Sequence, residues 1–227
     1  MREIVLDTET TGLDPAAGHR IVEIACLELV NRVPTGKVFQ AYVNPERDMP
    51  IEAFQVHGLS EEFLSTHPKF ADIAGKFLAF IGDADLVIHN AEFDLKFLRA
   101  EFERLDDVSL ATGRIIDTVA MARGRFPGAP ASLDALCRRF EIDNSARTTH
   151  GARLDTELLA EVYMELTGGR QPGLSLGSAK TDVPMAAAAM SSEQRPDRPV
   201  RAHGPTAEEL RKHETFVEGL KNPIWKE

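Results

Sequence analysis

A short apolar strand near the start of the sequence leads directly into two acids: residues 3–13 are Glu3-Ile4-Val5-Leu6-Asp7-Thr8-Glu9-Thr10-Thr11-Gly12-Leu13. Its apolar, partly β-branched run predicts a buried strand. Side chains two residues apart share one face of a strand, so Asp7 and Glu9 lie together at its C-terminal end. Carboxylates placed in this way suit hard divalent cations such as Mg²⁺ or Mn²⁺. Taken alone, such a pair is more often two solvated acids at a strand end.

The rest of residues 1–169 alternates strand-like and helix-like stretches. Further strands are predicted at residues 21–29, 37–43 and 86–88. Helices are predicted at residues 70–81, from about 93 to 102, at 132–140 and from about 154 to 166. This order of elements predicts a mixed α/β domain.

Two more acidic motifs stand just past a predicted strand or at the start of a predicted helix: Asn90-Ala91-Glu92-Phe93-Asp94 and His150-Gly151-Ala152-Arg153-Leu154-Asp155. Loops at such places can converge on one site. Alone, Asp94 and Asp155 fit ordinary acids in the first turn of a helix, and His150 fits an ordinary loop histidine. Three such motifs in this order make a shared site the better interpretation.

Together, the three motifs resemble Exo I, Exo II and Exo III of the DnaQ-like (DEDDh) 3′→5′ exonucleases. The resemblance covers residues 1–169 continuously and is strongest to the proofreading subunits of bacterial replicative DNA polymerases, across residues 86–94, 132–145 and 150–169. It implies an α/β fold with a ribonuclease H-like mixed sheet flanked by helices, and a flexible C-terminal tail that ends in a short helix.

The resemblance also implies roles for individual residues. Asp7, Glu9, Asp94 and Asp155 look like the four carboxylates that hold two divalent metal ions, Mg²⁺ or Mn²⁺. Two such ions activate the attacking water and stabilise the leaving 3′ oxygen during phosphodiester hydrolysis. His150 looks like the general base, a role suited to a group that titrates near neutral pH.

Substrate contacts are expected from a second group of residues. Asp7, Glu9 and Asp155 should meet the substrate through the metal site, while Glu52 and His57 resemble residues that contact the terminal nucleotide. The segment 10–13 can offer backbone N–H groups and one apolar side chain to the last base pair. Leu13 is then either a wedge or simply a core or edge residue, and the sequence does not choose between them.

Charge is distributed unevenly along the chain. The 227 residues carry a formal net charge of −10, which argues against a broad basic surface that grips nucleic acid. Residues 1–169 hold 17 Lys and Arg against 28 Asp and Glu, a net charge of −11, whereas residues 170–227 hold 9 against 8. All of the net acidity therefore belongs to the predicted nuclease domain, 1–169.

The remaining residues are predicted to be a linker, 170–205, and a docking segment, 206–227. Within residues 171–176, Gln171, Leu174 and Leu176 resemble the peptide that binds the bacterial sliding clamp; the alternative is an unremarkable linker start. Residues 206–227 begin with a capping box and include Trp225. By resemblance their partner is the alpha subunit of DNA polymerase III, and the alternative is a frayed helix that folds back on the nuclease domain.

The sequence also bears on location. No apolar run approaches the length of a membrane span, and the N-terminus lacks the features of a signal peptide. We therefore expect no membrane partner, a cytoplasmic, replisome-associated protein, and buried free thiols at Cys26 and Cys137.

Taken together, these features predict a proofreading exonuclease subunit that acts on single-stranded or frayed DNA 3′ ends. One alternative is a stand-alone DEDDh nuclease that degrades RNA or short oligonucleotides, although such an enzyme needs no tail. Another is a non-catalytic subunit that bridges clamp and polymerase, although all five motif residues are present.

Overall fold

The computed structural model describes residues 1–105, 113–147, 149–169 and 204–219, and the chain divides into two units, Met1–Leu174 and Ser175–Glu227. The described strands are β1 (Arg2–Thr10), β2 (Ile21–Val30), β3 (Val33–Tyr42), β4 (Asp85–Ile88) and β5 (Ile115–Asp117). The helices of the first unit are α1 (Ile51–His57), α2 (Glu61–Ser65), α3 (Phe70–Ile81), α4 (Ala91–Phe102), α5 (Thr118–Arg125), α6 (Leu133–Phe140) and α7 (Ala152–Leu166). In the second unit, α8 spans Ala207–Glu218.

The five strands form one mixed sheet in the order β3-β2-β1-β4-β5. Strand β2 pairs antiparallel with both β1 and β3, whereas β4 lies parallel to β1 and β5 parallel to β4. The central strand is therefore β1. The C-terminal ends of the three parallel strands lie at the same end of the sheet. The acids near the end of β1, Asp7 and Glu9, and the acid that follows β4, Asp94, are brought together there, and this end of the sheet is the acidic edge.

Side chains alternate across the sheet and enter two separate apolar cores. Ile4 and Leu6 of β1 face the core covered by α3 and α4, which is rich in aromatic side chains: Phe70, Phe77, Phe97 and Phe102. Val5 faces the opposite core, where α6 and α7 pack. Cys26 and Cys137 are buried free thiols, as predicted.

The predicted fold class, a mixed sheet flanked by helices, is confirmed, and the ends of several elements differ from the prediction. Strand β3 begins at Val33 rather than 37, and α7 begins at Ala152 rather than about 154. The sequence patterns do not predict α1, α2, α5 or β5. Two of these are very short: β5 has three residues and α2 has five, which is too few to show a period.

Helix α8 opens with the predicted capping box. Thr206 Oγ1 accepts from the Glu209 N–H, and the Thr206 N–H donates to Glu209 Oε2 at 2.7 Å. The helix buries none of its side chains, and Leu210 and Phe216 are exposed. Among the described residues, no helix is both long and apolar enough to cross a bilayer. The predicted clamp motif, most of the linker and Trp225 lie outside the described residues.

A buried ion pair fixes α4 to the sheet. Glu101, near the end of α4, is 2% exposed and accepts from Arg20 Nε and Nη2, each at 2.7 Å. The same carboxylate accepts from the backbone N–H of Ile21, the first residue of β2. Because α4 carries Asp94 at its other end, this pair helps to set the position of the acidic edge.

Replacing Glu101 by alanine should destabilise the protein by about 2–3 kcal/mol, since a partly buried guanidinium and the Ile21 N–H lose the acceptor that they share. Urea unfolding followed by circular dichroism measures this change. The matched control is Glu157→Ala on α7, whose carboxylate pairs with Arg153 at the surface; it should cost no more than about 1 kcal/mol. Equal losses in the two variants would contradict the assigned role of the buried pair.

Candidate active site

The acidic edge encloses a cavity of about 320 Å³. Its lining includes the four acids and the histidine of the three motifs: Asp7, Glu9, Asp94, His150 and Asp155. These residues are separated by up to 148 positions in the sequence. They come together because β1, the start of α4 and the start of α7 all border the cavity. The structure therefore groups all five in one place, while their chemical roles stay predictions.

Asp94 is held by the strand beside it. It is 3% exposed in the first turn of α4, and its Oδ1 accepts from Thr8 Oγ1 of β1 at 2.7 Å. Asn90, which precedes the helix, has a left-handed backbone with φ of 64°, a conformation that asparagine tolerates better than most residues. The chain thus turns sharply from β4 into α4 and directs Asp94 toward β1.

Asp155 is positioned through the start of α7. The Ala152 N–H donates to Oε2 of buried Glu23 at 3.1 Å. At the beginning of a helix such an N–H has no acceptor within the helix itself. Gln40 in turn donates to Oε1 of Glu23 at 2.7 Å. These contacts fix the start of α7 against β2 and β3. They therefore also fix Asp155, which lies one turn further along the helix.

His150 lies beside these acids on the segment that precedes α7. Its backbone N–H donates to the Val56 carbonyl of α1 at 3.0 Å, and its side chain is 49% exposed. Ligand atoms of Glu9, His150 and Asp155 lie within 4.8 Å of one another. Oxygen donors at this spacing, with one imidazole, suit a divalent cation.

Burial, together with repulsion between neighbouring acids, raises the pKa of three of the cavity's carboxyls. Burial, followed by repulsion from Asp155 and Glu23, raises the pKa of Glu9 to about 8. Burial raises the pKa of Asp94 to about 7. Desolvation, with repulsion from Asp94 and Glu9, raises the pKa of Asp7 well above its ordinary value. Bound cations would relieve this repulsion, so the residues present fit a metal site.

One cation that faces these acids, Arg147, is not predicted by the sequence patterns. Arg147 has a side chain only 8% exposed and donates to both carboxylate oxygens of Asp155 at 2.6 Å. It belongs to none of the three motifs. Its position three residues before His150 is the one feature of the sequence that indicates a place near the acids.

A second cavity, of about 510 Å³, adjoins the first and shares Thr8, Glu9 and Phe93 with it. Glu52 and His57 line it, as does Leu13. Leu13 is 83% exposed, so it is not a core residue. His57 is buried, and its Nδ1 accepts from the Leu59 N–H at 3.0 Å, while its Nε2 has no partner among the described residues. Burial also lowers the pKa of His57.

The wall of this second cavity depends on a close approach at Gly12. A Cβ on Gly12 would lie 2.4 Å from the ring of His19, so a larger residue would displace that ring. His19 Nδ1 also lies 3.2 Å from Thr11 Oγ1. The glycine therefore lets His19 support the segment that carries Leu13.

Comparison with known proteins shows the family to which the chain belongs. The family profile described as Exonuclease matches residues 4–163. The DNA polymerase III subunit epsilon of Rickettsia prowazekii is 52% identical over 223 residues, covering 97% of each chain. That of Escherichia coli is 44% identical over 224 residues, covering 96% of this chain and 92% of the relative.

A solved structure with a similar fold is the nuclease domain of 3'hExo, described as a DEDDh family member bound to rAMP. It shares 20% identity and a TM-score of 0.58, covering 74% of this chain and 92% of that domain. The predicted ribonuclease H-like fold is thus confirmed. The chain belongs to the exonuclease family and, within it, to the DNA polymerase III epsilon subunits. This family uses divalent metal ions.

The raised carboxyl pKa values predict a stability that depends on pH. A group whose pKa is raised on folding contributes stability below its unfolded pKa, here 4.5 for Glu9, and loses it as the pH rises through about 8. In EDTA at pH 8.5, Glu9→Gln should therefore raise the Tm, by roughly 2–4 °C per kcal/mol recovered. The gain should shrink toward pH 5, and saturating Mg²⁺ should stabilise the wild type more than the variant.

Scanning calorimetry at the two pH values, with and without Mg²⁺, measures these differences. Glu161→Gln, an exposed glutamate on α7, is the control and should change the Tm little at either pH. A Tm for Glu9→Gln below that of the wild type in EDTA at pH 8.5 would show that Glu9 does not destabilise the fold.

Proposed function

We propose that this chain is the proofreading 3′→5′ exonuclease subunit of a replicative DNA polymerase and removes mispaired 3′-terminal dNMPs. The convergence of Asp7, Glu9, Asp94, His150 and Asp155 on one cavity is the observation that carries the proposal. The family membership supports it, because the relatives are named as subunits of DNA polymerase III. A single-stranded or frayed end is the favoured substrate, since only an unpaired terminus can reach such a cavity.

Asp7, Glu9, Asp94 and Asp155 would hold two divalent metal ions, Mg²⁺ or Mn²⁺. When bound, such ions supply Lewis-acid activation of water and charge stabilisation at the scissile phosphate. The four carboxylates fix the position of the cations and, once neutralised, stop repelling the phosphate. Thr8 keeps Asp94 oriented through its hydroxyl donor.

His150 is proposed as the general base. Its half-exposed ring can meet a water molecule at the cavity mouth, and the bond from its own N–H to the Val56 carbonyl fixes its backbone. A neutral imidazole accepts the proton at whichever ring nitrogen is unprotonated and free of a donor.

The second cavity is proposed to bind the terminal nucleotide. Glu52 and His57 would contact the sugar or base, and the exposed Leu13 would act as a wedge against the last base pair. Because the two cavities share Glu9, a nucleotide held in the second would present its phosphate to the first.

The partners are proposed from the second unit and from residues outside the described ranges. Residues 206–227 would dock on the polymerase alpha subunit; the exposed Leu210 and Phe216 of α8 support this, since α8 buries none of its side chains. Residues 171–176, through Gln171, Leu174 and Leu176, would bind the sliding clamp. We place the protein in the cytoplasm, at the replisome. The division into residues 1–169, 170–205 and 206–227 follows these roles.

Asp7→Ala should lower the release of dNMP from 3′-mismatched DNA by more than about 100-fold, because even outer-shell changes at metal sites cost 10–100-fold. His150→Ala should lower kcat by about 10² to 10⁴. The assay uses Mg²⁺ or Mn²⁺ with an EDTA blank. The control is Asp83→Asn, which should retain wild-type turnover. Asp83 is exposed and precedes β4, at the end of the sheet away from the cavity.

Several outcomes would contradict the proposal. Activity of His150→Ala within about threefold of wild type would remove the general-base role. Preference for an RNA oligonucleotide over mismatched DNA would favour a stand-alone nuclease. Absence of turnover in the wild type with either metal would favour a bridging subunit without catalytic function.

The two docking segments should be separable from catalysis. Deletion of residues 200–227 should abolish co-elution with the alpha subunit, and joint replacement of Gln171 and Leu174 by alanine should weaken clamp binding. Both variants should excise mismatched nucleotides from free DNA as fast as the wild type does. Unchanged binding of either partner would remove the corresponding segment from the proposal.

A further inference from the structure

Arg147 holds the two groups that the proposed reaction requires to be free. Its Nε and Nη2 donate to the two oxygens of Asp155, each at 2.6 Å, and Nη2 also lies 2.8 Å from Nδ1 of His150. The side chains of Arg147 and Asp155 are 8% and 6% exposed, so water hardly screens the pair. These contacts place one positive charge in the lining of the acidic cavity.

We propose that Arg147 is a competing counter-ion of the metal site: it occupies Asp155 and His150 until a divalent cation displaces it, and so sets the cation concentration at which the site fills. This inference rests on the proposed function, because it requires Asp155 to be a metal ligand and His150 to be the base.

The competition for Asp155 follows from the geometry of the pair. A guanidinium that donates to both oxygens of a carboxylate takes the positions that a cation would use for close coordination. A divalent ion bound nearby would also repel the arginine charge strongly, because the two charges would lie a few ångströms apart with little water to screen them. Arginine and metal therefore exclude each other at Asp155, and each lowers the apparent affinity of the other.

The contact with His150 joins the same exchange to the proposed base. A guanidinium has only donors, so Nδ1 of His150 accepts from Arg147. The neutral ring then carries its proton on Nε2, and neither nitrogen is free to take another. Departure of Arg147 frees Nδ1. Filling of the metal site and release of the base are thus one event.

The surroundings of Arg147 confine the exchange to its side chain. The Arg147 N–H donates to the Asn144 carbonyl, and the His150 N–H donates to the Val56 carbonyl, each at 3.0 Å. Nη1 donates to Asp134 at 2.8 Å, and this carboxylate is 48% exposed. Asp134 offers the displaced guanidinium a partner at the cavity rim while the backbone stays in place.

Direct Mn²⁺ binding by the full chain, followed by electron paramagnetic resonance, tests the proposal. Arg147→Ala should lower the Kd for Mn²⁺ by about tenfold, the factor expected if Asp155 is free about a tenth of the time. Arg153→Ala is the matched control: it removes a cation from the first turn of α7, but this arginine pairs with Glu157 and not with Asp155. Mn²⁺ affinity of Arg147→Ala equal to or below that of the control would overturn the proposal.

A second measurement uses the wild type and does not depend on the folding of a variant. The Nε–H resonance of Arg147, observed by NMR, should move in step with Mg²⁺ occupancy, because its acceptor on Asp155 is taken. A signal unchanged at saturating Mg²⁺ would overturn the proposal. If the wild type instead binds no Mn²⁺ and releases no dNMP, the proposed function itself fails, so the two failures are distinct.

Discussion

The burial of mutually repelling carboxylates at the C-terminal end of β1 is the constraint on which the rest of this structure depends. Asp7, Glu9, Asp94 and Asp155 share one small cavity, and their desolvation raises the pKa of the first three. A fold selected for stability alone would separate such groups, because each buried charge needs a partner. The arrangement persists where the negative charge is offset, by protons, by Arg147 within the chain or by cations from solution.

The sheet is built so that this crowding cannot relax. Strand β1 is central, and its residues Asp7 and Glu9 pair with Ala25 and Glu23 of β2, so the two acids cannot move apart without breaking the hydrogen bonds of that pair. Asp94 is fixed by Thr8, and Asp155 is fixed through the contact of Glu23 with the start of α7. The same rigidity that makes the site costly holds the carboxylate oxygens in place, so filling the site would require Arg147 to leave Asp155 but no carboxylate to move.

Much of the fold and of the candidate site could be predicted from the sequence. The features that could not be predicted depend on the three-dimensional surroundings of a residue. The period of two in β1 placed Asp7 and Glu9 on one face, and helical spacing located α3 and α4. Glu23 and Ala152 are 129 positions apart, and no local pattern reports a contact of that kind. Arg147 was missed for the same reason, since its importance lies in what surrounds it. The exposure of Leu13 required the structure, because an exposed leucine and a buried leucine look the same in the sequence.

The net charge of −11 in residues 1–169 takes on a definite meaning once the cavity is known. A protein binds a polyanion such as DNA more tightly through lysine and arginine contacts that release counter-ions, and in this domain acids outnumber those residues by 28 to 17. Cations at the site neutralise the cavity but add little attraction beyond it, because charges are screened within about 10 Å at 0.1 M salt. Under the proposed function, a domain with this charge relies on partners that hold the DNA. A tether then supplies the effective concentration that its own surface does not. The acidity that seems to argue against a nucleic-acid enzyme thus fits one that works as a dependent subunit.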